Sequence, residues 1–291
     1  MRAPWWTSVL RCPRCAGPLT ASRFLVRCEV CGPYPLLGDV PVLVSDPHAW
    51  CARHRDAILA AMAEHDAVER EAVAVVEAFA GDAAVSRESF GDDWTTHEAR
   101  EELAPKPVKG PAAAPLAQLM KSPGPAQWLA RKIDGAKLAL EIGCGAGERS
   151  ELLAARVDRL LIGDLSLRAV FRARARASRQ QAEVAGVVLD AQVLPLKRGA
   201  LQLVVAEHVV DLLDAPAEFF AQARAALGKG GRLLVTTPEP SLGAGDDGVL
   251  AALAEDAKFT LVERRDGLPW LRVNSSRFVE VYLVQALELR A

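Results

Sequence analysis

The sequence predicts an α/β protein with a doubly wound, mostly parallel sheet, and three observations carry this prediction. Apolar segments of strand length alternate with helix-forming segments through the second half of the chain. A turn with glycine at every second position, 143–147, follows the first of these strands. The next strand ends in an acidic residue, Asp164. Such alternation is typical of a parallel sheet with helices on both faces, whose ligands bind beyond the carboxyl ends of the strands.

Seven strands are expected in this sheet. A helix over 126–132 leads into the first strand, and five strands then alternate with helices. Two later strands complete the sheet. The predicted strands are 137–142, 159–164, 184–189, 201–206, 231–236, 259–265 and 278–286.

The glycine turn is predicted to bind a nucleoside. Glu141 stands at the strand end, and Gly143, Gly145 and Gly147 follow it. Glycine lets the backbone bend sharply and approach a ligand where a side chain would collide. About twenty residues on, Asp164 is placed to accept hydrogen bonds from ribose hydroxyls. The spacing E-x-G-x-G-x-G differs from the G-x-G-x-x-G of dinucleotide enzymes, which disfavours nicotinamide binding.

Five ordered segments resemble the motifs of class I S-adenosylmethionine-dependent methyltransferases. The last of them carries Lys229 where that family usually has proline. The resemblance implies a Rossmann-like fold with an antiparallel last strand, and an enzyme that uses S-adenosylmethionine. The matching segments are 141–147, 163–166, 188–196, 201–208 and 227–238.

The resemblance also implies the contacts of the cofactor. Glu141 would hold the ammonium group, and Asp164 would bind the ribose hydroxyls. Asp190 would accept from the adenine amine, while the backbone of Ala191 meets a ring nitrogen. Two alternatives stay open, because Asp164 also suits a strand-end turn and Asp190 a helix cap. The other implied cofactor-binding residues are Gly143, Gly145 and Gly147, through their backbone amides, with Cys144, Leu165 and Glu207 beside them.

Candidate catalytic residues follow the fourth predicted strand. Methyl transfer is an in-line displacement, so the protein supplies alignment, desolvation and, for oxygen or nitrogen nucleophiles, removal of a proton. Glu207 and His208 are nearest to this task, and a histidine can act as general base near neutral pH. The alternative is a pocket wall or a helix-start residue. Asp211, His97, Trp270 and Arg272 are further candidates for the acceptor pocket.

The family's asparagine-proline-proline-tyrosine signature for amino-group methylation is missing. The sequence Ala-Glu-His-Val occupies that place, at 206–209. Methylation of adenine or of a glutamine amide is therefore disfavoured.

Four cysteines predict a structural zinc site. They form two C-x2-C pairs with twelve residues between them, the pattern of a zinc ribbon. Four thiolates fill a tetrahedral shell and leave no open position for substrate. Disulfides fit a reducing compartment badly, and neither pair has the strand-helix context of a redox motif. The predicted ligands are Cys12, Cys15, Cys28 and Cys31.

The cysteine-rich segment 10–46 has a resemblance of its own. Tyr34 to Pro41 is similar to the Y-P-I-x-D-G-I-P segment of the small zinc-ribbon protein that activates several tRNA, ribosomal and release-factor methyltransferases. The same segment also resembles the zinc-ribbon end of a bacterial ribosomal guanine methyltransferase. Cysteine spacing does not separate these two likenesses.

Three domains are predicted: a zinc ribbon over 1–46, a helical lid and linker over 47–125, and the cofactor-binding core over 126–291. Phe90 and Trp94 would line the lid or simply pack in a core. Acidic residues outnumber basic residues in 48–104, so this segment would repel phosphate if it faced a substrate. A proline-rich connector occupies 104–115.

Composition places the chain among soluble globular proteins. It has 291 residues, of which 51% are hydrophobic and 25% charged, with a net charge of −2. This charge gives no general attraction to nucleic acid or anionic membrane. We expect a cytoplasmic protein without a membrane partner, because no apolar run approaches the ~18 residues of a span and no secretory signal is recognisable.

Three functions compete. The favoured function is methyl transfer to an oxygen or nitrogen of a small metabolite or natural-product intermediate. The first alternative is an RNA methyltransferase that docks rRNA or tRNA through the ribbon and an arginine-rich helix. On that helix Arg168, Arg172, Arg176 and Arg179 share one side, a pattern that also fits a solvated face. The second alternative is a non-catalytic cofactor-binding scaffold.

Overall fold

The computed structural model describes residues 3–81, 113–119, 121–243, 245–275 and 278–291. Phe90, Trp94 and His97 lie outside the described residues, as does most of the proline-rich connector. Within the described part, no helix combines the length and the apolar character needed to cross a lipid bilayer.

Eleven strands and eight α-helices make up the described fold, with short 3₁₀ helices at Trp5–Ser8 and Val210–Leu212. The strands are β1 Thr20–Ala21, β2 Leu25–Cys28, β3 Gly32–Leu37, β4 Val40–Leu43, β5 Leu138–Ile142, β6 Arg159–Asp164, β7 Glu183–Leu189, β8 Leu201–Glu207, β9 Leu227–Thr237, β10 Thr260–Ser275 and β11 Phe278–Arg290. The helices are α1 Pro47–Glu64, α2 Arg70–Ala80, α3 Ala113–Leu119, α4 Pro125–Lys132, α5 Glu148–Ala154, α6 Leu167–Ala177, α7 Pro216–Ala226 and α8 Val249–Asp256.

All eleven strands belong to one mixed sheet, in the order β1-β2-β3-β4-β7-β6-β5-β8-β9-β11-β10. The strands from β4 to β9 in this order pair in parallel. Strand β11 runs antiparallel to both β9 and β10. The α/β class and the antiparallel last strand are therefore confirmed. The predicted number of strands is wrong, because the sheet has eleven and not seven.

The four additional strands come from the cysteine-rich N-terminal segment. Strands β1 to β3 form an antiparallel meander, and β3 turns back into β4. Strand β4 then pairs in parallel with β7, with Val42 opposite Val188 and Leu43 opposite Leu189. An edge strand leaves backbone donors and acceptors unpaired, and β4 satisfies those of β7. This pairing was missed because the sequence pattern marks 1–46 as a separate small module; its domain boundary stays a prediction.

Side chains alternate between the two faces of the sheet and build two apolar layers. In β8, Val204 and Ala206 join the layer that contains α7 and α8. Leu203 and Val205 join the layer that contains α1, α2, α4, α5 and α6. Alternation with period two, combined with apolar residues on both faces, is what a parallel sheet covered on both sides requires.

The helices α1 and α2, predicted as part of a lid, pack against each other, and α1 packs along α6. Their lid role stays a prediction.

The last two strands are longer than predicted and form a hairpin that passes the end of β9. The last pair between β9 and β11 joins Thr237 to Gln285, whereas β10 and β11 remain paired as far as Ser275 and Phe278. Strand β10 has a bulge between Arg265 and Leu268, and its pairing with β11 continues on both sides of the bulge. The hairpin thus projects over the carboxyl edge of the parallel strands, where ligands of such sheets bind.

Candidate active site

The glycine turn between β5 and α5 has a left-handed backbone at three positions. The φ angles are 69° at Gly143, 49° at Gly145 and 86° at Gly147. The amide of Gly143 donates to the carbonyl of Gly163 over 2.8 Å, and that of Gly147 to the carbonyl of Cys144 over 2.9 Å. The amide of Gly145 donates to Asp164 over 3.2 Å. These amides therefore have partners within the protein, and their contact with a cofactor stays a prediction.

Two of these glycines are also required by packing. A Cβ atom on Gly143 would lie 2.2 Å from Cγ2 of Val209, and one on Gly147 would lie 2.5 Å from the Cα atom of Ala173. The second contact involves backbone of α6, so it has little room to relax. The turn thus joins β5, α6 and the segment after β8 at close range.

Three carboxyl groups gather beside this turn. Glu141 is buried and accepts a hydrogen bond from the hydroxyl of Ser150. Burial raises the pKa of Glu141 to about 8, and the negative charges of Glu207 and Asp164 add to the rise. The Ser150 hydrogen bond and the charge of Arg149 act in the opposite direction. Burial also raises the pKa of Asp164 and of Glu207.

Asp164 is fixed by the backbone around it. One carboxyl oxygen accepts from the amide of Gly145, and the other accepts from the amide of Ser166 over 2.9 Å. The side chain of the next residue, Leu165, is 42% exposed at this edge. Asp164 therefore occupies a tight turn and at the same time presents a carboxylate beside the glycine loop.

Asp190 closes a turn and does not cap a helix. Its Oδ1 accepts from the amide of Gln192 over 2.8 Å, and Asp190 pairs with Val193 in an isolated bridge. The side chain of Gln192 in turn accepts from the amide of Ala215 over 2.6 Å. Ala191, between them, is buried. The helix-cap alternative for Asp190 has no helix to cap among the described residues.

Glu207, at the end of β8, forms an ion pair with Arg149. The Nε atom of Arg149 lies 2.6 Å from a carboxylate oxygen of Glu207. Arg149 and Ser150 were missed in the sequence, although both lie in the first turn of the helix after the glycine loop. Their position in the first helical turn after the glycine loop could have identified them from the sequence.

His208 adopts a left-handed backbone, with φ of 55°. Its Nε2 atom is buried and has no hydrogen-bond partner among the described residues. The imidazole lies against the indole of Trp270, with ring centroids 4.1 Å apart, and Trp270 lies against Tyr282 at 5.0 Å. Burial, with a smaller contribution from the charge of Arg149, lowers the pKa of His208 to about 4. The imidazole is therefore neutral near pH 7.

The other acceptor-pocket candidates lie on the same edge. The hydroxyl of Thr237 donates to Asp211 over 2.8 Å. Arg272, on the projecting hairpin, lies 3.9 Å from Glu280. The hairpin thus brings together Trp270 and His208, which were both candidates for the site. It also places Tyr282, a residue that the sequence analysis missed, against Trp270.

The four predicted metal ligands lie together. The Sγ atoms of Cys12, Cys15, Cys28 and Cys31 are all within 4.8 Å of one another. In a tetrahedral zinc–thiolate site the sulfur atoms lie roughly 3.8 Å apart, as follows from Zn–S bonds of about 2.3 Å. The hydroxyl of Tyr34 lies 3.2 Å from the sulfur of Cys12.

The remaining two cysteines are buried and lie outside this cluster. Burial raises the pKa of Cys51 to about 12, so it is a neutral thiol inside α1.

The arginine-rich helix α6 is engaged within the protein. Arg168 and Arg172 form ion pairs with Glu64 of α1, at 3.0 and 3.5 Å. Arg174 donates to the carbonyl of Gly38 over 2.8 Å. Two arginines of the predicted phosphate-binding face therefore hold α1, and Arg174, which is not on that face, holds the β3–β4 turn.

Residues 140–235 match the family model described as a methyltransferase domain. No curated protein matches the chain. Solved structures that are similar include the N-methyltransferase NodS from Bradyrhizobium japonicum WM9 in complex with S-adenosylhomocysteine, with 20% identity, a TM-score of 0.46, and coverage of 67% of this chain and 97% of that one. An S-adenosylmethionine-dependent methyltransferase from Mesorhizobium loti is similar with 14% identity, a TM-score of 0.46, and coverage of 58% and 98%. The methyltransferase domain at residues 140–235 of this chain shows that it is an S-adenosylmethionine-dependent methyltransferase.

Proposed function

We propose that this methyltransferase acts on an oxygen or nitrogen atom of a small metabolite or natural-product intermediate. The observation that carries the proposal is the buried Nε2 of His208, which has no partner among the described residues, in an imidazole that lies against the indole of Trp270. Buried polar atoms normally have partners, and this one lies at the carboxyl edge of the parallel strands, where a bound ligand would supply the partner. The indole of Trp270, which packs in turn on Tyr282, offers apolar surface beside the imidazole, which is typical of sites for small organic ligands.

The donor set fits S-adenosylmethionine. The negative charges of Glu207 and Asp164 help to raise the pKa of Glu141, and the guanidinium of Arg149 opposes the rise. Arg149 also opposes the rise in the pKa of Glu207. A cofactor with a sulfonium and an ammonium group would supply positive charge to this cluster. When bound, it supplies a methyl group activated by the positive sulfur. On this proposal Glu141 faces the ammonium group and Asp164 the ribose hydroxyls.

The adenine end would lie at the turn after β7. Asp190 would accept from the adenine amine, and the backbone of Ala191 would meet a ring nitrogen. The space between the adenine and methionine ends of the cofactor would be lined by Leu165 and by the turn residues Gly143, Cys144, Gly145 and Gly147.

Catalysis on this proposal requires a proton acceptor near the incoming nucleophile. His208 is neutral near pH 7, so its Nε2 can accept a hydrogen bond from a hydroxyl or amine and take its proton as the methyl group is transferred. The low pKa makes it a weak base, so on this proposal its larger contribution is to orient the nucleophile. Glu207 is held by Arg149 and is better suited to line the cofactor side of the site. Trp270 would shield the reacting atoms from water, which strengthens the electrostatic interactions inside the site.

We also propose that the cysteine cluster holds one structural zinc ion. Four sulfur atoms within 4.8 Å of one another suit zinc, which prefers tetrahedral thiolate coordination. Burial raises the pKa of Cys12, but hydrogen bonds from Tyr34 and from backbone amides outweigh burial and lower this pKa to about 7. The neighbouring Cys15 side chain and burial, by contrast, raise the pKa of Cys31 to about 12. The case for zinc therefore rests on the positions of the sulfur atoms. Cytoplasmic localisation stays a prediction.

RNA methylation is the alternative that the zinc-ribbon resemblance favours. It requires a basic surface that joins the ribbon and α6 to the cofactor site. The ion pairs of Arg168 and Arg172 with Glu64 reduce the charge available for phosphate on this helix. The small-molecule proposal is therefore better supported. The non-catalytic alternative does not apply to a methyltransferase.

The proposal is tested by incubating the protein with methyl-labelled S-adenosylmethionine and three fractions: small-molecule extract, total RNA and protein extract. We expect label in the small-molecule fraction, reduced at least tenfold in His208→Gln at unchanged S-adenosylhomocysteine affinity. Transfer to RNA or to protein, or full activity of the variant, would overturn the proposal. Tyr282→Phe, which keeps the ring, is the matched control.

A further inference from the structure

Trp50 of α1 makes a hydrogen bond to the cofactor edge of the sheet. Its indole Nε1 donates to the carbonyl oxygen of Leu165 over 3.1 Å, across 115 residues of sequence. The side chain is 7% exposed and belongs to the apolar layer on this face. A hydrogen bond between distant segments restrains their relative position, because breaking it would leave the buried indole Nε1 of Trp50 without a partner.

Leu165 connects this hydrogen bond to Asp164. The amides of Gly145 and Ser166 donate to the Asp164 carboxyl group, and these bonds lower its pKa against the effect of burial. The Leu165 carbonyl and the Ser166 amide belong to the same peptide group, and both are engaged, the carbonyl by Trp50 and the amide by Asp164. A peptide segment held at both ends has a fixed orientation, and so has the carboxyl group bound to it.

Helix α1, which carries Trp50, is held at both ends. Asp46 caps α1 by accepting from the amide of Ala49 over 2.9 Å. At the other end of the helix, Glu64 pairs with Arg168 and Arg172 of α6. Helix α6 begins directly after the turn of Asp164, with Ser166 at its N-cap. Helix α1 is therefore fixed to the element that follows the turn, and Trp50 reaches the turn itself.

We propose that Trp50 is a positioning residue for the ribose subsite: through the Leu165 carbonyl it holds the turn 164–166 in the geometry that binds the cofactor. The inference rests on the proposed role of Asp164. It assigns to α1 a contribution to cofactor affinity from outside the matched methyltransferase domain. Pre-organised binding groups increase affinity because less ordering remains to be done when the ligand binds.

The chain offers a matched control in Trp128 of α4. Its side chain is 6% exposed, and its Nε1 has no hydrogen-bond partner among the described residues. Trp50→Phe and Trp128→Phe thus make the same chemical change in the same apolar layer. Only the first removes a hydrogen bond of the described structure. A purely structural effect of losing an indole would appear in both variants.

The experiment is calorimetric titration of the purified full chain with S-adenosylhomocysteine. We expect a three- to tenfold loss of affinity in Trp50→Phe and a change below twofold in Trp128→Phe. In nitrogen-15 spectra of the wild-type protein, assigned by triple-resonance methods, the Trp50 indole signal should shift on titration and the Trp128 signal should not. This spectroscopic measurement is independent of whether either variant folds.

Equal affinities of the two variants, or a Trp50 signal that does not respond to S-adenosylhomocysteine, would overturn the inference. Asp164→Ala separates this failure from a failure of the proposed function. If Asp164→Ala binds S-adenosylhomocysteine as the wild type does, the ribose subsite is misplaced. If it binds weakly while Trp50→Phe binds normally, the subsite stands and the role of Trp50 is excluded.

Discussion

The imidazole of His208 lies under the indole of Trp270, with the ring centroids 4.1 Å apart and the planes inclined by 60°. Burial lowers the pKa of His208 to about 4. We expect Trp270→Ala to admit water and raise this pKa towards its ordinary value of 6.5, which removes the neutral form below pH 6. The histidine pKa can be followed by NMR titration of the ring protons. If His208 serves as the base, the variant should also gain an acidic limb in its activity profile.

Tyr282→Phe is the control for this change, because it keeps the ring that packs on Trp270. Its His208 pKa should remain well below 6.5. An unchanged pKa in Trp270→Ala would show that the indole is not what excludes water from the imidazole.

Glu141 should make cofactor affinity depend on pH. Burial holds its pKa near 8 in the free protein, so the carboxyl group is mostly protonated at pH 6. An ammonium group binds the carboxylate, so binding must release the proton, and affinity should rise from pH 6 to pH 8 by up to about tenfold per unit. Glu141→Gln keeps an oxygen that can accept from Ser150 but cannot ionise. Calorimetry with S-adenosylhomocysteine should therefore find a clearly smaller slope in the variant. Equal slopes would remove Glu141 from the ammonium subsite.

The methyltransferase core was largely predictable from sequence because its signals are local. Each predicted strand of the core is an apolar run, and each motif follows a strand end. Asp164 and the glycine turn do meet, through the hydrogen bond of Gly145. The resemblance supplied the antiparallel direction of β11, which local patterns do not encode.

What the sequence did not predict depends on contacts between distant segments. Strand β4 pairs with β7 through backbone groups, which every residue carries, so no side-chain pattern reveals it. The predicted strand ends at residue 265, before the bulge that prolongs β10, so the hairpin that carries Trp270 to His208 was not expected. The pairing of Glu64 with Arg168 joins two charged surfaces that each appear solvated in isolation.

Gly147 should be intolerant of alanine for a reason of packing. A Cβ atom there would lie 2.5 Å from the backbone of Ala173, and φ is +86°. Gly135, at φ of +56°, has open space around it, so alanine there incurs only the left-handed strain of about 1 kcal/mol. We expect Gly147→Ala to lower the free energy of unfolding by at least twice as much as Gly135→Ala. Urea unfolding of both variants measures the difference, and similar losses would contradict the packing argument.

Zinc content should depend on the cysteine cluster alone. The double variant Cys12→Ser, Cys15→Ser removes two of the four sulfur atoms, so we expect loss of one zinc per chain in elemental analysis of the purified protein. Its thermal midpoint should fall by several degrees, because β4 links the ribbon to β7. Cys51→Ala is the control, since Cys51 is buried outside the cluster and should leave zinc content unchanged. A full zinc complement in the double variant would exclude the site.

Asp164 should decide cofactor affinity. Its two carboxyl oxygens are oriented by the amides of Gly145 and Ser166, and alanine removes the acceptors that ribose hydroxyls would use. We expect Asp164→Ala to weaken S-adenosylhomocysteine binding at least tenfold in calorimetric titration, about 1.4 kcal/mol or more. Asp256→Ala, at an exposed position at the end of α8, is the control and should bind as the wild type does. Because two amides lose their partner in the variant, its thermal midpoint without ligand must be measured alongside. A folded Asp164→Ala protein with wild-type affinity would place the ribose elsewhere on this edge of the sheet.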